Sequence, residues 1–121
     1  MTAYSFGNNP EKLDDHAWFI GNFGLNPMTV GTKRPNGWGL YDMHGLVWEW
    51  CADWFGAYAT NQNEVVTNPT GPKSGRLRVC RGGNWMREAR FCRSAHRFRS
   101  WPEYPDAITG FRVALDLVPK A

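Results

Sequence analysis

Glycine and proline interrupt this chain so often that no long regular element can run through it. The 121 residues include 13 glycines and 8 prolines, and both residue types break helices and strands. Aromatic side chains are also frequent, with 7 Trp, 7 Phe and 4 Tyr. We therefore predict short strands and long ordered loops held by large aromatic side chains, rather than a helical bundle.

The length fits one domain on the usual scale of roughly 100 to 200 residues, so we predict a single domain over residues 1–121 and exclude a two-domain enzyme. No apolar run approaches the roughly 20 residues of a membrane-spanning helix. The first fifteen residues lack the basic and apolar segments of a signal peptide. Cys51, Cys80 and Cys92 are an odd number without CxxC spacing, which favours a reducing compartment. We therefore expect a cytoplasmic protein.

Charge is distributed unevenly along the chain. The first sixty residues contain three basic and six acidic side chains, whereas the remainder contains eleven basic and five acidic ones. Eight of the ten arginines lie between residues 76 and 99. Such a cluster either meets an anionic partner or organises loops by binding carboxylates and carbonyls. Since no basic helix carries these arginines, the pattern argues against a nucleic-acid partner.

Local patterns predict few regular elements. A helix is expected over 10–19, because Asn9 can cap it and Pro10 suits its first position. The PNGWG sequence at 35–39 predicts a turn. Residues 47–51 are predicted to form either a strand or the interior of a loop. Strands are further predicted at 28–33, 76–81, 92–96 and 110–118. The last of these has the clearest alternation of apolar and other side chains.

Three sequence segments, in this order, resemble the formylglycine-generating enzyme and sulfatase-modifying factor family. They are GWGLYDMHGLVWEW at 37–50, GPKSGRLRVCRGGNW at 71–85 with FCRSAHR at 91–97, and GFRVAL at 110–115. The resemblance implies an α+β, C-type-lectin-like fold with sparse secondary structure and long ordered loops. Members are usually at least twice this long, and the part that precedes YSFG in the family is absent here. We therefore expect a homodimer or a partner subunit to cover the exposed apolar surface.

The resemblance also implies a structural calcium site. In similar proteins the side chains matching Asp42 and Glu49 and the carbonyls matching Gly45 and Val47 bind calcium, a cation that takes about six to eight oxygen ligands. The alternative is an empty loop in which Glu49 pairs with an arginine, because a buried unpaired carboxylate is costly. His44, inside this loop, is predicted to face solvent.

Catalytic members of the family oxidise a substrate cysteine with copper held by two cysteines five positions apart, since a thiolate pair selects monovalent copper. The second cysteine matches Cys92, but the first position is Arg87. We therefore expect no copper site and interpret Cys92 as a buried structural thiol. If the chain is nevertheless an enzyme, Cys92 is the candidate catalytic residue.

The resemblance further implies that the loops at 84–91 and 98–104 line a ligand-binding face. Aromatic and arginine side chains are enriched at recognition hot spots. The candidate ligand-binding residues are Trp85, Arg87, Glu88, Arg90, Phe98, Arg99, Trp101 and Tyr104. Trp85 and Phe98 are alternatively core residues.

These observations predict a non-catalytic, calcium-stabilised module that binds a protein or a small molecule. The alternative is an oxidoreductase of the sulfatase-modifying-factor type, or a subunit of one, acting on a cysteine or thiol substrate.

Overall fold

The structure, a computed structural model, describes residues 1–24, 28–58 and 65–115. Its helical elements are a 3₁₀ helix at Pro10–Lys12, the α-helix α1 at Leu13–His16 and a second 3₁₀ helix at Ala89–Cys92. Its strands are β1 at Trp48–Trp54, β2 at Arg78–Arg81, β3 at Phe98–Ser100 and β4 at Thr109–Gly110. In these ranges, none of the helices is long and apolar enough to cross a bilayer.

The four strands form one mixed sheet in the order β3-β2-β1-β4. β2 pairs antiparallel with both β1 and β3, whereas β4 runs parallel to β1. The register between β1 and β2 places Trp50 opposite Cys80 and shifts before Trp54, as at a β-bulge. A mixed sheet with few helical residues agrees with the predicted α+β class.

Large aromatic rings hold this sheet and its loops, as the composition predicts. Trp48 is fully buried in β1 and stacks on Phe98 of β3 with ring centroids 4.9 Å apart. A second cluster of buried residues packs the amino-terminal segment against the 3₁₀ helix at Ala89–Cys92. It consists of Tyr4, Leu13, Ala17 and Cys92.

The helix start at Pro10 is confirmed, and the predicted helix end is wrong. The Asn9 side chain accepts a hydrogen bond of 3.0 Å from the Glu11 N–H, so it caps the first turn. The helical segment stops at His16, because Ala17 adopts an extended conformation with φ −148° and ψ 155°. Residues up to 19 therefore belong to a loop.

Three of the predicted strands are wrong in whole or in part. Residues 28–33 form a turn around Gly31, whose φ is 70°. Of residues 92–96, Cys92 ends the 3₁₀ helix and the others form a turn, and the strand begins later, at Phe98. The closing strand predicted for 110–118 pairs with the sheet only through β4, so the described residues 111–115 lie outside it; residues 116–118 are outside the described part of the chain.

The loop between the amino-terminal segment and β1 is fixed by a glycine with no room for a side chain. Gly45 has a φ of 84°, and a Cβ added there would lie 2.2 Å from the carbonyl oxygen of Trp18. The Gly45 N–H donates to the Gly82 carbonyl at 2.6 Å, and the next N–H, from Leu46, donates to the Trp18 carbonyl at 2.7 Å. Only glycine satisfies both the backbone conformation and this close approach.

Replacing Gly45 with alanine should therefore lower the free energy of unfolding by about 3 kcal/mol or more, because strain and a backbone clash act together. Gly39→Ala is the matched control: Gly39 has a φ of 76° but nothing within 4 Å of an added Cβ, so strain alone should cost about 1 kcal/mol. Urea unfolding of both variants measures the difference. Equal losses would contradict the close contact with Trp18.

Candidate functional site

A bidentate ion pair occupies one end of the predicted calcium loop. The Arg112 guanidinium donates to both carboxylate oxygens of Glu49, from Nη2 to Oε1 at 2.6 Å and from Nε to Oε2 at 2.9 Å. Arg112 Nη2 also donates to the Tyr41 carbonyl at 2.9 Å. Hydrogen bonding to Glu49 raises the pKa of Arg112. The structure therefore has the arrangement of the alternative interpretation, in which an arginine neutralises Glu49.

The other end of the loop retains a free acceptor. Asp42 Oδ2 accepts the Gly31 N–H at 2.7 Å, whereas the buried Oδ1 has no hydrogen-bond partner among the described residues. Asp42 thus fits a cation ligand, but Glu49 does not fit while Arg112 holds both of its oxygens. Within 1–24, 28–58 and 65–115, no group of three or more His, Cys, Asp or Glu side chains is placed to hold a metal ion. Calcium binding through Asp42, Gly45, Val47 and Glu49 stays a prediction that requires Arg112 to release Glu49.

The prediction that His44 faces solvent is wrong. His44 is only 4% exposed. Its Nε2 accepts the Ser5 N–H at 3.1 Å, so Nδ1 carries the proton and donates to the Cys92 carbonyl at 2.8 Å. Burial lowers the pKa of His44, which favours the neutral imidazole. The histidine therefore joins three distant segments instead of forming part of an exposed site.

Cys92 has the surroundings of a structural thiol. It is fully buried, and burial raises its pKa to about 12. A Cβ on Gly83 would lie 2.5 Å from the Cys92 sulfur, so the glycine backbone packs directly on it. Arg87 is exposed, with its guanidinium carbon 5.8 Å from the ring centroids of both Phe91 and Phe98. The donor set at these two positions is one protonated thiol and one guanidinium, which does not fit a bis-thiolate copper site.

The predicted ligand-binding residues separate into buried and exposed members. Phe98 belongs to the core, where it stacks on Trp48. Trp85 is half-buried against Phe23, with ring centroids 4.8 Å apart. These two residues therefore hold the loops in place.

The exposed members lie in three places. On the 85–91 loop, Glu88 and Arg90 form an exposed ion pair at 2.9 Å beside Arg87. Arg99 lies over the Phe55 ring, 5.0 Å from its centroid. Trp101 and Tyr104 are exposed in the loop after β3. Tyr104 lines a small cavity of about 250 Å³ whose other walls are Trp50, Pro102, Pro105, Asp106 and Thr109.

A larger cavity of about 600 Å³ was not predicted from the sequence. Its walls include Tyr4, Trp38, His44, Glu49 and Arg81. These residues come from four separate segments of the chain, and the only one of these segments with a predicted ligand is the 42–49 loop, whose predicted ligand is calcium.

The arginine cluster organises loops, as one of the two interpretations proposed. Arg81 Nη1 donates to the carbonyls of Ala95 and His96 at 3.2 and 3.3 Å. Arg97 Nη2 donates to the Gly56 carbonyl at 2.9 Å, and its guanidinium carbon lies 3.8 Å from the Tyr58 ring centroid. Arg78 and Arg93 also donate to backbone carbonyls. These contacts satisfy acceptors that the loops leave free.

Comparison with known proteins agrees with this architecture. The family profile described as "Sulfatase-modifying factor enzyme 1-like domain" matches residues 2–117. The formylglycine-generating enzyme of Thermomonospora curvata is 44% identical over 92 residues, which cover 72% of this chain and 30% of that enzyme. The serine/threonine-protein kinase pkn1 of Chlamydia pneumoniae is 41% identical over 97 residues, which cover 78% of this chain and 16% of that kinase.

A solved structure supports the same relationship. Treponema denticola variable protein 1 superposes with a TM-score of 0.82 at 35% sequence identity, covering 92% of this chain and 40% of that chain. The chain thus spans less than a third of the length of both curated relatives and less than half of this solved structure.

The ion pair gives a direct test of calcium binding. If the loop binds calcium, Arg112→Gln frees Glu49, so the melting temperature of this variant should rise by several degrees in excess calcium, since a hundredfold excess over Kd adds about 2.7 kcal/mol. Wild type should respond less, and adding Glu49→Gln should remove the response. Differential scanning calorimetry with calcium or chelator measures the shift. The control is Arg34→Gln, which removes an exposed arginine paired with Asp15. If calcium leaves the melting temperature of Arg112→Gln unchanged, the calcium site is rejected.

Acid should destabilise the fold through buried His44 and half-buried His96. The pKa of His44 is lowered by burial, and that of His96 by burial and by nearby Arg93, Arg81 and Arg87. A lowered pKa means that the unfolded chain binds more protons as pH falls below about 6.5, so stability is complete above that pH and is lost below it. Urea unfolding between pH 7 and 5.5 should show this decrease, and His96→Gln should leave the contribution of His44. Stability that is flat or rises over this range would contradict the burial of neutral His44.

Proposed function

This chain belongs to the sulfatase-modifying factor enzyme 1-like family, and we propose that within this family it is a non-catalytic module that binds a protein or small-molecule ligand. We further propose that its fold is of the C-type-lectin-like type. The observation that carries the functional proposal is the pair of positions Arg87 and Cys92, which cannot supply two thiolates. A family fold that keeps its loops but lacks these donors is suited to binding rather than to thiol oxidation.

The chemistry of Cys92 supports this proposal independently of Arg87. A thiolate is the form that binds metals and attacks substrates, and with a pKa of about 12 Cys92 is almost entirely protonated near neutral pH. The Cys92 side chain is also fully buried, so a substrate thiol cannot reach its sulfur in this conformation. Both features are typical of a core residue.

The exposed part of the predicted face supplies the binding groups in this proposal. Arg87, Arg99, Trp101 and Tyr104 are exposed, and Tyr104 opens onto the cavity of about 250 Å³. Tyrosine, tryptophan and arginine provide large contact areas and oriented hydrogen bonds at recognition surfaces. The core members Trp85 and Phe98 position these groups through their contacts with Phe23 and Trp48.

The names of the relatives are compatible with a module that is not tied to one activity. A formylglycine-generating enzyme and a serine/threonine-protein kinase both contain a region that matches most of this chain. Because one fold hosts unrelated functions, activity has to be argued from the site and not from the fold. At this site the residues favour binding. The half-buried and buried free cysteines are in keeping with a reducing, cytoplasmic location, which we retain as part of the proposal.

Copper(I) titration tests the proposal. Wild type and Cys92→Ser should bind copper(I) equally weakly, and neither should consume the thiol of a cysteine-containing peptide in air with copper(I), as followed by mass spectrometry. Any copper bound through the half-buried Cys51 should disappear in Cys51→Ser instead. Arg87→Cys restores the five-residue spacing, and it should still bind copper(I) weakly as long as burial keeps the Cys92 sulfur out of reach. Tight copper(I) binding or peptide oxidation that is lost in Cys92→Ser would favour the oxidoreductase alternative.

A further inference from the structure

The cavity of about 600 Å³ lies between the amino-terminal segment, the turn at 35–39 and the end of the sheet. Its volume falls in the range of about 300 to 1,000 Å³ that is typical of small-molecule sites. The loops at 84–91 and 98–104, which carry the proposed binding face, are described in full and do not line it. The function proposed above therefore assigns no ligand to this cavity.

The end of the sheet supplies the charged wall of the cavity. Glu49 of β1 and Arg81 of β2 lie directly opposite each other in the antiparallel register, so their side chains are on the same face of the sheet. Both line the cavity. Arg112 binds both carboxylate oxygens of Glu49, and this carboxylate is therefore already neutralised.

Arg81 keeps its positive charge at this wall. Its Nη1 donates to the carbonyls of Ala95 and His96, and a carbonyl accepts a hydrogen bond without cancelling the charge. The arginine ion pairs within the described part of the chain involve other arginines. Arg81 is half-buried, and a charge withdrawn from water gains most from an ion of opposite sign. The wall therefore favours an anionic group.

Apolar and aromatic side chains form another part of the lining. Tyr4, Trp38 and Met43 contribute to it. The Tyr4 hydroxyl donates to the Ala89 carbonyl at 2.9 Å, which fixes the position of its ring. A small hydrophilic anion would leave these side chains without contacts, so the lining favours an anion that also carries an apolar body.

Trp38 presents an aromatic surface at the mouth of the cavity. It lines the cavity although it is 87% exposed. The Asn36 side chain accepts the N–H groups of Trp38 and Leu40 at 2.9 and 3.0 Å, which holds the turn in shape. An aromatic ring can stack on the free indole surface. Because the turn is held before a ligand arrives, little conformational freedom is lost on binding.

We propose that this cavity binds a small aromatic carboxylate, with its carboxylate paired to Arg81 and its ring against Trp38. The planar guanidinium matches the geometry of a carboxylate. Glu49, Arg81 and Arg112 together carry one positive charge, which balances one negative charge on the ligand. A dianion such as a phosphate monoester would add a second negative charge beside Glu49, and like charges repel. This site is additional to the proposed binding face and does not depend on it.

Two probes of nearly the same shape, naphthoate and naphthamide, test the role of charge. Only naphthoate is an anion, so wild type should bind it at least about tenfold more tightly than naphthamide, because hydrogen bonds between charged groups are stronger than neutral ones. Arg81→Gln should remove this difference. Arg93→Gln should preserve it, because Arg93 is an exposed arginine that donates to the Arg90 carbonyl and does not line the cavity. Isothermal titration calorimetry measures the affinities.

Substitutions at the mouth of the cavity locate the probe and do not alter Arg81. Trp38→Ala should weaken naphthoate binding at least about threefold through the lost ring contact, whereas Trp101→Ala, on the proposed binding face, should not. Gly37 lines the cavity, and an added Cβ there meets nothing within 4 Å. Gly37→Phe should therefore fill part of the cavity and weaken binding at least about tenfold. Gly24→Phe is the matched control, because Gly24 has the same open space but does not line the cavity.

Several results would overturn the proposal. They are a wild type that binds neither probe, equal affinity for naphthoate and naphthamide, tighter binding of naphthyl phosphate than of naphthoate, and unchanged binding in Gly37→Phe. If Arg81→Gln fails to fold, Trp38→Ala and Gly37→Phe still decide the location. Loss of binding in Trp101→Ala instead would place the probe on the proposed binding face, so it would reject the cavity site and leave the proposed function standing.

Discussion

The described fold depends on the docking of one buried tripeptide, His44–Leu46, between distant parts of the chain. Its backbone N–H groups bond to the carbonyls of Gly82 and Trp18, and the Leu46 carbonyl accepts the Trp85 N–H. The His44 ring adds bonds to Ser5 and to Cys92. Buried backbone and imidazole groups must find hydrogen-bond partners. Because this chain has few helical and strand hydrogen bonds, the contacts of the tripeptide supply partners that helices and sheets supply in other proteins.

The tripeptide also determines the character of the neighbouring sites. It connects the 3₁₀ helix at Ala89–Cys92 to the amino-terminal segment, and this packing buries the Cys92 thiol and keeps it protonated. It also leads directly into β1, so that Glu49 emerges where Arg112 can bind both of its oxygens. The same local geometry therefore accounts for a structural cysteine and for a carboxylate that is neutralised by an arginine.

Arginine completes what the loops leave unsatisfied. The guanidinium groups of Arg81 and Arg97 donate to loop carbonyls, and Arg97 and Arg99 lie over aromatic rings. Planar guanidinium can form such bonds and stack at the same time, which an ammonium group does less well. Several arginines of the basic stretch are consequently used in contacts within the molecule.

The sequence by itself determined the features that depend on nearby residues. Asn9 and Pro10 specify the start of the helical segment, alternation around Val79 specifies β2, and the turn at 35–39 follows from its glycines, because capping and strand periodicity act over a few positions. The family resemblance added the α+β class and the interpretation of Arg87 and Cys92. Only the tertiary structure decided the rest. His44 is buried because distant Ser5 and Cys92 provide its hydrogen-bond partners. Residues 111–115 have no strand partner within the part of the chain that the structure describes, because a strand needs a neighbour that local sequence does not encode.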